Sequence, residues 1–157
     1  MDHAIIARAL HVVGVVLWIG GVAFVTTVLL PAVRRMRTAE ERLQFFESVE
    51  GRFAWQARLT TVLVGATGFY LVHAWDLWHR FAGASWWWMH AMVGVWALFT
   101  VMLFIAEPLV LHRWFRETAQ RDPDRTFRRI ERMHLVLLAL SLVTVAGAVA
   151  GSHGWLP

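Results

Sequence analysis

The chain has 157 residues, 58% of them hydrophobic, and a mean hydropathy of +0.51. That is too apolar for a water-soluble domain and long enough for several spans of about 20 residues each, so the sequence reads as an integral membrane protein. The formal net charge is +4 with neither cysteine nor lysine, which excludes disulfides, thiolate metal sites, the Cys-x-x-Cys-His tether of covalent haem and any lysine Schiff base.

Four segments are long and apolar enough to cross a bilayer, at about 4–30, 53–75, 86–111 and 134–151. Backbone groups in lipid must be satisfied internally, and runs of this length do so as helices. The expected fold is all-α, a single transmembrane domain over 1–157 built as an integral membrane four-helix bundle. Arg34, Arg35, Arg37, Arg42 and Arg52 lie between the first two spans. Arg113, Arg116, Arg121, Arg125, Arg128, Arg129 and Arg132 lie between the last two, while only Arg8 and Arg80 fall at the opposite end. Twelve arginines against two place both loops inside and both termini outside, which predicts a bacterial inner (cytoplasmic) membrane protein with periplasmic termini. Charge concentrated on the inner face suits anionic lipid headgroups better than nucleic acid. The main basic cluster follows the first apolar run, so that run is expected to be retained rather than cleaved as a signal peptide.

Along the first span, His11, Gly14, Trp18, Gly21 and Val25 form one helical stripe. Thr38-Ala-Glu-Glu41 fits a capping box, with Leu43, Phe46, Val49 and Phe53 continuing at helical spacing, so helix two is expected to start well before its span. Arg58 lies one turn inside the inner boundary, and His73 closes the span. Trp75, Trp78, Trp86, Trp87, Trp88 and Trp155 gather at the outer ends as an interfacial belt would. The third span carries the stripe His90, Gly94, Ala97 and Val101, flanked by Met89 and Met92. At its inner end stand Glu107 and Pro108, the proline expected to free the Phe104 carbonyl and kink the helix. Asp122-Pro123 is an N-cap and first-turn signal for helix four. That helix carries His134 near its inner end and a GxxxG pair, Gly147 and Gly151, suited to close helix contact within the bundle or across a homodimer.

The halves repeat one order. His11, Pro31 and His73-Ala-Trp75 are matched by His90, Pro108 and His153-Gly-Trp155, with histidine-to-proline spacings of 20 and 18. This suggests two duplicated helical hairpins related by a pseudo-twofold axis. Ionisable groups inside a bilayer are costly unless paired or used. An imidazole is the usual ligand to non-covalent haem iron, and inward histidines on facing bundle helices are one way to hold it, with Gly14 and Gly94 leaving room for a flat macrocycle. The bland alternative makes these histidines interfacial or helix-to-helix hydrogen-bond partners. Met89-His90-Ala-Met92 also suits Cu(I), with His11, His73 or Met1 completing the set. Arg58 and Glu107 at matching depth read as a structural ion pair or as part of a proton route. His134 would face Arg58 or, with His112, hold a second haem.

The run Ala9-Leu10-His11 through Trp18-Ile-Gly20-Gly21 resembles the first helix of the CopD and HemJ-like membrane families. Trp88-Met89-His90-Ala91 resembles the start of the third HemJ helix, and Arg58 to Gly68 looks like the shared second helix. The resemblance implies a four-helix membrane fold with His11 and His90 as cofactor histidines. In CopD relatives it implies copper uptake or resistance, and in HemJ a b-type haem protein that oxidises protoporphyrinogen. Met92 stands where HemJ proteins usually carry a lysine. The expected function is thus a haem b membrane redox protein, an oxidoreductase or electron carrier, with His11, His90, Gly14, Gly94 and Trp18 at the haem and a quinone or periplasmic redox partner. The alternatives are a copper-binding or copper-transporting protein and a cofactor-free scaffold subunit.

Overall fold

A computed structural model describes residues 2–155, with the side chains of Asp2, Leu111, His112, Arg113, Arg116, Ala119 and Gln120 outside the description. The described residues are helical almost throughout. We name four continuous rods: α1 (residues 2–34), α2 (Ala39–Ala74), α3 (residues 87–121) and α4 (Pro123–Ser152). Three are long and apolar enough to cross a membrane, over His3–Arg34, Ala84–Val110 and Pro123–Ser152, and the chain is a multi-pass membrane protein on that basis. The remaining rod, α2, carries Gln56, Arg58, three threonines and His73 within its apolar stretch. The hydroxyls of Thr60 and Thr67 donate back to carbonyls of their own helix, to Gln56 at 2.9 Å and Leu63 at 2.6 Å, so they remain satisfied in an apolar setting.

The starts of α2 and α4 follow from their caps. Thr38 Oγ1 accepts from the Glu41 N–H while the Glu41 carboxylate accepts from the Thr38 N–H, completing the capping box. Asp122 caps α4 by accepting from the Arg125 N–H at 3.0 Å, with Pro123 in the first turn. The two rods with an interior proline share a feature absent from the sequence reading. In α1 a π-helical turn, Val25–Leu29, precedes Pro31, and in α3 the π-helical stretch Met102–Leu111 contains Pro108.

Packing divides the core into two clusters. At the arginine-rich end Phe46, Phe115 and Phe127 stack on one another at 5.1–5.8 Å, with Leu30 and Val33 fully buried beside them. Each such aromatic pair contributes about 1 kcal/mol beyond its buried area. Higher up, Trp18 meets Phe99 edge-on at 4.9 Å, with Val22, Val64 and Leu138 around them. Ion pairs Arg34–Glu131 and Arg42–Asp124 join the ends of α1 and α2 to α4, so part of the basic cluster is spent within the fold.

The GxxxG pair packs against α3 inside the chain. A Cβ on Gly151 would lie 2.1 Å from Trp88 Nε1 and one on Gly147 2.5 Å from the Trp87 ring, so α3 tryptophans already fill the small-residue face. Trp88, at 5% exposure, is therefore a core residue, whereas Trp86 of the expected belt is half-buried and Trp75, Trp78, Trp87 and Trp155 are exposed.

Candidate functional site

The histidines at the end away from the arginines do not share an environment. His11, half-buried on α1, lies against α2, where its Nδ1 is 3.1 Å from the Val64 carbonyl and 3.0 Å from Thr67 Oγ1. A carbonyl can only accept, so Nδ1 carries the proton and Nε2 is left with a free lone pair. Gly68 opens the space for this ring, since a Cβ there would stand 3.1 Å from His11 Cε1. His90 is exposed on α3. Its Nε2 donates to the Phe81 carbonyl at 3.1 Å, its ring lies edge-on to Phe81, and its Nδ1 is 3.4 Å from the Trp86 carbonyl. It fastens the 3-10 turn Leu77–Ala82 to the top of α3.

The expectation of two inward histidines flanked by glycine clearances is corrected accordingly. His90, Gly94, Ala97 and Val101 form an exposed face of α3, and nothing stands within 4 Å of a Cβ placed on Gly94. At Gly14 a Cβ would meet Val64 Cγ2 at 2.9 Å, so this glycine serves the close approach of α1 and α2. Trp18, expected at the cofactor, is 4% exposed and packs on Phe99 two turns below His11. Met89 is 3% exposed in the core whereas its neighbour His90 looks outward, and Met92 is half-buried, so the methionine-histidine motif does not converge. His73 is exposed. Among the described residues no three histidine or acidic side chains gather as a metal site.

At the arginine-rich end the polar residues do converge. Arg58 Nη2 is 3.0 Å from Glu107 Oε1, the expected ion pair, and Arg58 Nε donates to the Leu103 carbonyl at 3.1 Å. The second contact follows from the helix geometry. In a π-helix residue i accepts from i+5, and five positions after Leu103 stands Pro108, which has no N–H. The orphaned carbonyl is thus that of Leu103 rather than Phe104, and the guanidinium of a neighbouring helix fills it.

Beside this pair lies a cavity of about 440 Å³ walled by all four rods. Trp18, Phe46, Phe53, Phe99, Trp114 and Phe115 give it an aromatic interior, and Glu50, Glu107, Arg129 and His134 also line it. His134 Nδ1 donates to the Ile130 carbonyl at 2.9 Å, leaving Nε2 as an acceptor. The expected partnership with His112 lies outside the described side chains. Glu50, in the part of α2 before the expected 53–75 span, has its carboxyl pushed up from 4.5 to about 7 by burial and by the nearby charges of Glu107 and Glu47. Trp18 Nε1 is buried without a hydrogen-bond partner.

Sequence reasoning missed Glu50. The signal was present: it follows Phe46 by four positions and precedes Phe53 and Ala54 by three and four, so it shares their inward face. No family model, curated protein or solved structure matches the chain.

Proposed function

We propose that the chain is a CopD/HemJ-like membrane redox protein of four spans, with α2 as the fourth and both termini outside. It holds a b-type haem at its outer half through His11. The observation that carries the reading is the state of that imidazole. One nitrogen is fixed on the backbone of α2 and the other is free, which is how surrounding groups orient a metal-ligating histidine and set its tautomer. Gly68 and Thr67 hold the ring in place. Haem on this ligand supplies one-electron chemistry, exchanged with a quinone or a periplasmic partner.

Holding the same haem through His90 would require breaking its bond to Phe81, so His11 is the principal ligand. The test is the visible spectrum of the purified protein, oxidised and dithionite-reduced, after expression with ample haem. The reading expects a Soret band that disappears in His11→Ala and survives in His90→Ala. A colourless wild-type protein would overturn it.

A further inference from the structure

The cavity at the arginine-rich end is distinct from His11, and its hydrogen-bonding inventory is specific. Its volume of about 440 Å³ falls in the range of small-molecule sites. It presents two hydrogen-bond acceptors on different helices, the Glu50 carboxyl on α2 and His134 Nε2 on α4, within otherwise aromatic and aliphatic walls. Two acceptors converging on an aromatic cavity suit a ring-bearing ligand that donates to both.

Charge narrows the choice. Glu107 is neutralised by Arg58 and Arg129 stands at the wall, so the lining holds no net excess that calls for a cation or an anion. A neutral ligand that donates two hydrogen bonds matches the set. The route in is lateral. The widened π-helical stretch of α3 contributes Met102, Leu103 and Val110 to the wall, and Val110 is also 60% exposed on the outer surface, so the cavity reaches the apolar belt there. π-helical widenings recur at functional sites because they displace side chains from the regular helix face.

We propose that this cavity binds a lipid-soluble hydroquinone, its ring between the aromatic walls and its hydroxyls donating to Glu50 and His134. The choice of a hydroquinone rests on the redox reading above; the existence of the site does not.

Calorimetric titration of the intact detergent-solubilised protein with decylubiquinol tests it, alongside the dimethyl ether of the same compound and dodecylamine. The expected result is saturable binding of one decylubiquinol per chain, at least tenfold tighter than the ether or the amine. Glu50→Leu and His134→Leu should each weaken it about tenfold. Ala54→Leu, which fills the cavity without touching its polar groups, should do the same, and melting curves of each variant establish that it is folded. Equal affinity for the ether, wild-type affinity in the folded Glu50→Leu and His134→Leu variants, or tighter binding of dodecylamine would each overturn the proposal. Loss of haem in His11→Ala with unchanged decylubiquinol binding separates the two sites. A haem-free wild-type protein that binds the quinol would refute the haem reading alone.

Discussion

The two hairpins, α1 with α2 and α3 with α4, share a sequence order and diverge in what they do with it. Each has a histidine near its start, a glycine about one turn below, and a proline at a π-helical stretch. In the first hairpin the glycine is consumed by close helix packing and the histidine is anchored on the partner helix. In the second, the glycine faces outward and the histidine fastens a loop. A repeated spacing therefore preserves local backbone behaviour but not side-chain environment, because environment depends on which neighbour packs against the face.

The proline stretches give the largest expected effect. The break at Pro108 is repaired from outside by Arg58, which also neutralises Glu107. Arg58→Leu should cost about 3 kcal/mol, seen as a lowered melting temperature in detergent, since it leaves a carboxylate and a carbonyl unpaired together. In the first hairpin, Thr26→Val removes only a hydroxyl bonded to its own helix, at Val22, and should change stability by less than about 1 kcal/mol. Equal losses in the two variants would break the asymmetry.

The glycines come next. Gly151→Ala drives a Cβ into the Trp88 indole, and Gly14→Ala presses on Val64, so each should destabilise by about 1–3 kcal/mol. Gly94→Ala meets open space and should be neutral or stabilising by up to about 1 kcal/mol. Thermal melts of the three variants side by side measure this directly.

A smaller effect concerns Glu50, faced by Glu107, Glu47, Arg129 and His134. Its folded pKa of about 7 exceeds the ordinary 4.5, so below 4.5 both folded and unfolded chains hold the proton and burial carries no titration penalty. As pH rises from there the unfolded chain ionises first, stability falls, and the full penalty is present above about 7. Glu50→Gln should therefore raise the melting temperature above pH 7 and leave it nearly unchanged below 4.5. A constant difference across that range would remove Glu50 from the cavity's electrostatics.

Helix starts were legible in the sequence, because a cap is a contact between near neighbours: Thr38 with Glu41, and Asp122 with Arg125. The Arg58–Glu107 pair was legible too, since two opposite charges at one depth have few other options. The orientation of His90 was not. A histidine-glycine stripe looks the same in sequence whether it faces a partner or a bilayer, and the Leu77–Ala82 turn that engages it has no sequence periodicity to reveal it. Glu50 was obscured by its surroundings, a charged residue among the charges preceding a span, although its spacing from Phe46 put it on the buried face.

The most direct test of the contrast between the hairpins is the reduced-minus-oxidised visible spectrum of wild type, His11→Ala and His90→Ala, prepared identically with added haem. The account predicts haem bands in wild type and His90→Ala and none in His11→Ala. Bands retained in His11→Ala and lost in His90→Ala would contradict it, and would mean that the exposed face of α3 carries the cofactor.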